Sequence, residues 1–213
     1  MTHQVSTSPL RLAVLISGTG STLQNLAEHI ANGQLSASIA CVISSRPAVY
    51  GLIRAKTLGL SGTVINRREF SDTATFSQAI FSTVSKCDAD LVVMAGFLSL
   101  LMIPPQYENR VLNIHPALLP KYGGRGMHGL KVHQAVIDAG ETISGCTVHY
   151  ADNQYDHGPI LLQKTCPVLP GDTAQTLAAR VFEQECLAYP AAIQKCIDRI
   201  STMPIRTSPR SMS

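Results

Sequence analysis

Asn113 and His115 stand two positions apart in Val-Leu-Asn-Ile-His-Pro-Ala-Leu-Leu-Pro, the otherwise apolar stretch from Val111 to Pro120. Side chains two apart on a strand share a face, so an amide and an imidazole lie side by side near the end that Pro116 imposes. The pair alone fits a hydrogen-bonded insertion in a core equally well. A third polar group, Asp156, sits in a Gly-bearing loop between two later strand patterns and is placed to reach the same strand end. Amide, imidazole and carboxylate together stabilise an oxyanion, hold a protonated imidazole and move a proton. No Ser or Cys stands in the strand as a nucleophile. The set therefore suits direct attack by a substrate amine on an acyl carbon.

A second constellation follows the apolar run Leu12 to Ile16: Ser17-Gly18-Thr19-Gly20-Ser21-Thr22, then a helical pattern with Leu23, Leu26, Ala27 and Ile30 on one face. Backbone N–H groups at such a helix start form an anion site, and glycines permit the close approach a phosphate needs. On this reading Gly20→Val crowds the phosphate and weakens substrate binding. A dinucleotide fingerprint would place a third glycine at position 23 and an acid after the next strand; the chain has Leu23 and Ser44-Ser45-Arg46. A monophosphate is favoured over NAD. Lys121 to Gly129 forms a glycine-rich loop with two cations, Lys121 and Arg125, suited either to lining an anion pocket or to a solvated surface.

Strand and helix patterns alternate around these residues. Strands are expected at Ile39 to Ile43, Thr63 to Ile65 and Leu91 to Met94, and helices around Val49 to Leu58 and Asp72 to Cys87, with an apolar helix after Ala95-Gly96-Phe97 that Pro104-Pro105 ends. After a helix near Leu130 to Ala139, Ile143 to Tyr150 and Pro159 to Val168 read as an antiparallel pair. Asp172 with Gln175 has capping-box spacing. The helix it opens carries Glu185 on its apolar stripe with Ala174, Leu177, Ala178, Val181 and Phe182, and a last helix is expected beyond Pro190. The pattern predicts an α/β, Rossmann-like doubly wound sheet, parallel to about Met94 and antiparallel later. One domain is expected over 11–201, between a flexible arm (1–10) and a flexible tail (202–213).

At 45% apolar and 15% charged, with a net charge of +3, the composition is that of a compact protein; it argues against nucleic acid and suits small anionic substrates. No run reaches the ~20 apolar residues of a membrane span. Six scattered cysteines without a C-x-x-C pair, and His128 and His133 at a spacing that misses one helical face, predict free thiols in a reducing, cytoplasmic setting and no metal. His149 and His157 read as structural histidines, and Leu119-Pro120 as either a cis peptide shaping the loop or an ordinary trans turn.

The segments Ile16 to Ser21, Ala95-Gly96-Phe97, Asn113 to Pro120 and Asp156-His157-Gly158-Pro159-Ile160 resemble the phosphoribosylglycinamide formyltransferases over about Leu12 to Arg199. The resemblance implies the formyltransferase fold and transfer of a formyl group from 10-formyltetrahydrofolate to the amine of phosphoribosylglycinamide in purine biosynthesis. It implies Asn113, His115 and Asp156 as the catalytic set. It also implies Gly18, Thr19, Gly20, Ser21 and Thr22 as the phosphate cradle and Glu185 as the contact to the substrate sugar. Met94, Ala95, Gly96, Phe97, Leu98, Asn113, Asp152 and Asp156 would embrace the folate. No basic residue follows Ala-Gly-Phe, where Leu98-Ser99 stands, so Arg125 or Lys121 is the available cation for the folate tail. A monomer or homodimer is expected. Two alternatives share the signals: a formyltetrahydrofolate hydrolase, and a phosphate-binding module without catalysis.

Overall fold

The computed structural model describes residues 9–202. Most of the arm and nearly all of the tail lie outside them; Leu10, assigned to the arm, is already buried in the first strand. The strands are β1 (Leu10–Ile16), β2 (Ala37–Ser44), β3 (Gly62–Val64), β4 (Leu91–Met94), β5 (Val111–His115), β6 (Ile143–Tyr150) and β7 (Ile160–Pro167). They form one sheet in the order β3-β2-β1-β4-β5-β6-β7. The first five in that order run parallel and β6 and β7 antiparallel. The parallel part thus extends through β5, one strand further than expected.

The continuous apolar runs are explained by burial on both faces. Leu12, Val14 and Ile16 pack with α1 (Ser21–Ala31), α2 (Tyr50–Thr57), α4 (Leu130–Asp138) and α5 (Ala174–Thr202), while Ala13 and Leu15 pack with α3 (Thr73–Lys86). β1 is the point at which the strand order reverses, and ligand crevices in such sheets open at the carboxyl ends of the strands there. Gly18, just past β1, and His115, ending β5, lie at that same edge.

Three elements differ from expectation. The apolar run after β4 forms no helix; up to a 3-10 turn at Pro105–Tyr107 it is an ordered loop. Its amides are taken by side chains instead: Leu98 N–H donates to Ser17 Oγ, Met102 N–H to Ser77 Oγ and Ile103 N–H to Asn153 Oδ1. Capping of α5 falls to Thr173, whose Oγ1 accepts from Thr176 N–H while Thr176 Oγ1 accepts from Thr173 N–H. Asp172 is occupied by a bidentate Arg180 guanidinium at 2.7 and 2.9 Å. Finally, α5 continues through Pro190 as one 29-residue helix. Proline lacks the N–H that would bond the carbonyl four residues back. Asn25 Nδ2, from α1, donates to that Cys186 carbonyl at 3.0 Å.

Candidate active site

The turn from β1 into α1 is held by two glycines packed against each other. Gly20 has φ +73° and a Cβ on it would meet the Gly51 Cα at 2.7 Å. Gly51 in turn donates its N–H to the Gly18 carbonyl at 3.0 Å. A side chain at position 20 therefore points at α2 rather than at a ligand, and the expectation that Gly20→Val crowds a phosphate is corrected. Gly20→Ala should instead lower folding stability by roughly 2–4 kcal/mol, from left-handed strain plus overpacking. Urea unfolding checks this; a wild-type midpoint would contradict the packing described.

A cleft of about 450 Å³ opens at the carboxyl edge of the sheet, within the size range of small-molecule sites. Ser21 and Thr22 line one part of it, Phe182 and Glu185 of α5 another. Gly18, Thr19 and Gly20 are not among its lining residues. Met94, Gly96, Phe97, Leu98, Asn113, Asp152 and Asp156 line it as expected. Ala95 does not, because alternation along the chain turns it into the opposite core.

Asn113, His115 and Asp156 are brought together. Asn113 Nδ2 donates to Asp156 Oδ1 at 3.2 Å, and His115 Nδ1 lies 3.4 Å from Asp156 Oδ2. The loop after β5 completes the set from its backbone: Gly124 N–H donates to Asp156 Oδ2 at 2.9 Å and the Tyr122 carbonyl accepts from His115 Nε2 at 2.8 Å. The Leu119–Pro120 peptide in this loop is cis rather than trans; the tertiary amide of proline makes the two forms close in energy.

His149, read from the sequence as a structural histidine, joins them. Antiparallel register sets it directly opposite Asn113, and its Nε2 accepts from Asn113 Nδ2 at 3.1 Å. Its Nδ1 faces the Tyr150 carbonyl at 3.0 Å, which only accepts, so the proton sits on Nδ1 and the lone pair on Nε2. His157 is instead exposed and bonded to Asp152 Oδ2 at 2.7 Å.

The same reasoning fixes the tautomer of His115. Nε2–H is spent on the Tyr122 carbonyl, leaving the Nδ1 lone pair of the neutral ring toward Asp156. Burial lowers His115 below the ordinary imidazole value, outweighing the Asp156 charge and the Tyr122 carbonyl, which raise it. The resting ring is thus neutral, against the imidazolium expected from Asp156 alone. Burial raises Asp156, but His149 and His115, when their rings carry a proton toward it, and the Gly124 N–H hold it below the usual carboxylate value. Burial pushes Glu185 up to about 7.

Lys121 is committed to Glu141 at 2.8 Å, which leaves Arg125 as the sole Lys or Arg among the described residues lining the cleft. No helix among the described residues is long and apolar enough to cross a membrane, and all six cysteines are free thiols.

Residues 10–193 match the formyl transferase family model. The chain is 38% identical to a phosphoribosylglycinamide formyltransferase of Haemophilus influenzae, over 86% of this chain and 85% of that protein. It is 41% identical to the trifunctional purine biosynthetic protein adenosine-3 of Bos taurus over 86% of this chain, while spanning only 18% of that longer protein. A solved glycinamide ribonucleotide transformylase of Symbiobacterium toebii superposes with a TM-score of 0.82 at 34% identity, covering 93% of this chain and 91% of that one. With the Asn113–His115–Asp156 cluster set beside the α1 N-terminus at one sheet edge, this chain belongs to the formyl transferase family, on its phosphoribosylglycinamide formyltransferase branch.

Proposed function

We propose that this chain transfers the formyl group of 10-formyltetrahydrofolate to the primary amine of phosphoribosylglycinamide, and that 11–201 acts as one catalytic domain. The observation that carries this reading is a single cleft lined by both a carboxylate–imidazole–amide cluster and the first turn of α1. The apolar wall of Phe97, Leu98, Leu101 and Ile103 suits a flat heteroaromatic ring, with Asp152 as its polar partner. Free N–H groups and the positive dipole end at Ser21 and Thr22 suit a phosphate. Glu185 suits the sugar hydroxyls between phosphate and amine.

A free α-amine has a pKa of roughly 7.7–8.0, so a useful fraction is neutral at physiological pH. Its nitrogen attacks the formyl carbon, and charge develops on the formyl oxygen. Asn113, less buried than His115 and His149, turns one amide N–H from His149 Nε2 to that oxygen as substrate binds, keeping the other on Asp156. Asp156 takes the proton leaving the nitrogen. Across 3.4 Å, the His115 Nδ1 lone pair then accepts that proton from the Asp156 carboxyl, and the imidazolium formed adds to the field on the oxyanion. Collapse breaks the bond from the formyl carbon to the folate nitrogen, which receives the proton.

The test is tetrahydrofolate release with and without phosphoribosylglycinamide. Release is expected only when the amine is present, because the phosphate end of the cleft accelerates a bound nucleophile and does nothing for water. Formate and tetrahydrofolate produced from the folate alone, at a rate insensitive to the amine, would establish the hydrolase alternative.

A further inference from the structure

We propose that Glu141 is a positioning residue for the reaction, acting through Tyr122 on His115. The inference rests on the catalytic role given to His115 above. Tyr122 has φ +58°, a left-handed conformation that a bulky residue adopts only when its surroundings hold it there. That conformation aims its carbonyl at His115 Nε2, 2.8 Å away. Two residues on, Gly124 N–H reaches Asp156 Oδ2 at 2.9 Å. The 122–124 backbone thus orients both members of the His115–Asp156 pair, and its left-handed start needs an anchor.

Glu141, just before β6, provides one. A single oxygen, Oε1, accepts from the Tyr122 hydroxyl at 2.8 Å and from Lys121 Nζ at 2.8 Å. The Lys121 bond is largely solvent-exposed and such pairs contribute little. The hydroxyl bond is the half that fixes the ring, and with it the peptide whose oxygen meets His115. On the other side the backbone at Gly123 packs so closely that a Cβ there would meet Leu119 Cδ2 at 2.5 Å and Asp156 Cβ at 3.2 Å. The chain of contacts is Glu141 to the Tyr122 hydroxyl, Tyr122 carbonyl to His115 Nε2, and His115 Nδ1 to Asp156. Loosening its first link lets the imidazole exchange tautomers, and the Nδ1-protonated form has no lone pair to receive the proton from Asp156.

The experiment compares Tyr122→Phe, Glu141→Leu and Glu141→Gln in the full chain. Tyr122→Phe and Glu141→Leu are each expected to lower kcat roughly tenfold, the worth of one hydrogen bond to a charged group, with KM for both substrates within about twofold. Glu141→Gln keeps an oxygen acceptor and should recover most of kcat. In ¹⁵N-histidine spectra His115 should be the Nε2–H tautomer in the wild type and Glu141→Gln, and a mixture in the other two. Variants that lower only the melting temperature, with kcat and the His115 tautomer unchanged, would overturn the proposal. A wild type without amine-dependent release would instead overturn the formyl-transfer reading, and the tautomer comparison would still decide whether Glu141 acts through Tyr122.

Discussion

Asp156→Asn should lower kcat by roughly 10³-fold and Asn113→Ala by roughly 10²-fold, with KM for either substrate changed only a few-fold. Asparagine at 156 keeps the shape and an oxygen for the Gly124 N–H, but it takes no proton from the attacking nitrogen and passes none to His115. It also removes the charge that holds the two N–H donors of Asn113 and Gly124 in place. Asn113→Ala leaves the proton path intact and deletes the donor nearest the cleft, so the smaller loss is expected there. Removing Asn113 also leaves His149 Nε2 without its donor, which adds a stability cost that circular dichroism would register. Pre-steady-state turnover with both substrates saturating isolates the chemical step. Near-native kcat in both variants would move the chemistry to other residues.

Glu185→Gln should make the ligand-free protein more stable and a worse catalyst at once. The carboxyl titrates near 4.5 when unfolded and about 7 when folded. Between these values the unfolded chain binds fewer protons than the folded one, so stability falls as pH rises through the window and the full cost is present above it. Glutamine removes that cost: a gain of roughly 1–3 kcal/mol is expected at pH 8 and almost none at pH 4. In the proposed site the same carboxylate accepts from the substrate sugar, so KM for phosphoribosylglycinamide should rise roughly tenfold while a folate analogue binds unchanged. Urea titrations at the two pH values and steady-state kinetics read the two halves separately. A stability gain independent of pH would show that desolvation of the charge is not its source.

Much of this arrangement is legible in the chain because it follows from short periods. Asn113 and His115 share a face by the two-residue repeat of a strand, and Glu185 stands out as an acid on a 3.6-residue apolar stripe. His149 is legible only as a strand histidine, because its partnership with Asn113 depends on the register between β5 and β6, a non-local quantity that no window on either strand contains. The run after β4 carries enough apolar residues for a helix, yet Ser17, Ser77 and Asn153, distant in sequence, take up its amides. At the α5 start two good caps adjoin, and the one freed of Arg180 does the capping. Gly20 is legible as a turn glycine, but the object it approaches is Gly51, not a ligand.

The carbonyl that Pro190 leaves without a helical partner gives the cleft a fixed gauge. Asn25 lies on α1 one turn beyond the Ser21–Thr22 end, and Cys186 adjoins Glu185 on α5, so their hydrogen bond ties together the two elements that, in the proposed site, would meet opposite ends of the sugar phosphate. On the proposed reading, the span between phosphate and sugar contacts is thereby set by the scaffold before any ligand arrives. A sugar phosphate one bond longer or shorter must either give up one contact or stretch this tie. On that reading the protein measures the length of its substrate, and a residue that breaks helical bonding elsewhere serves here as the pin of a caliper.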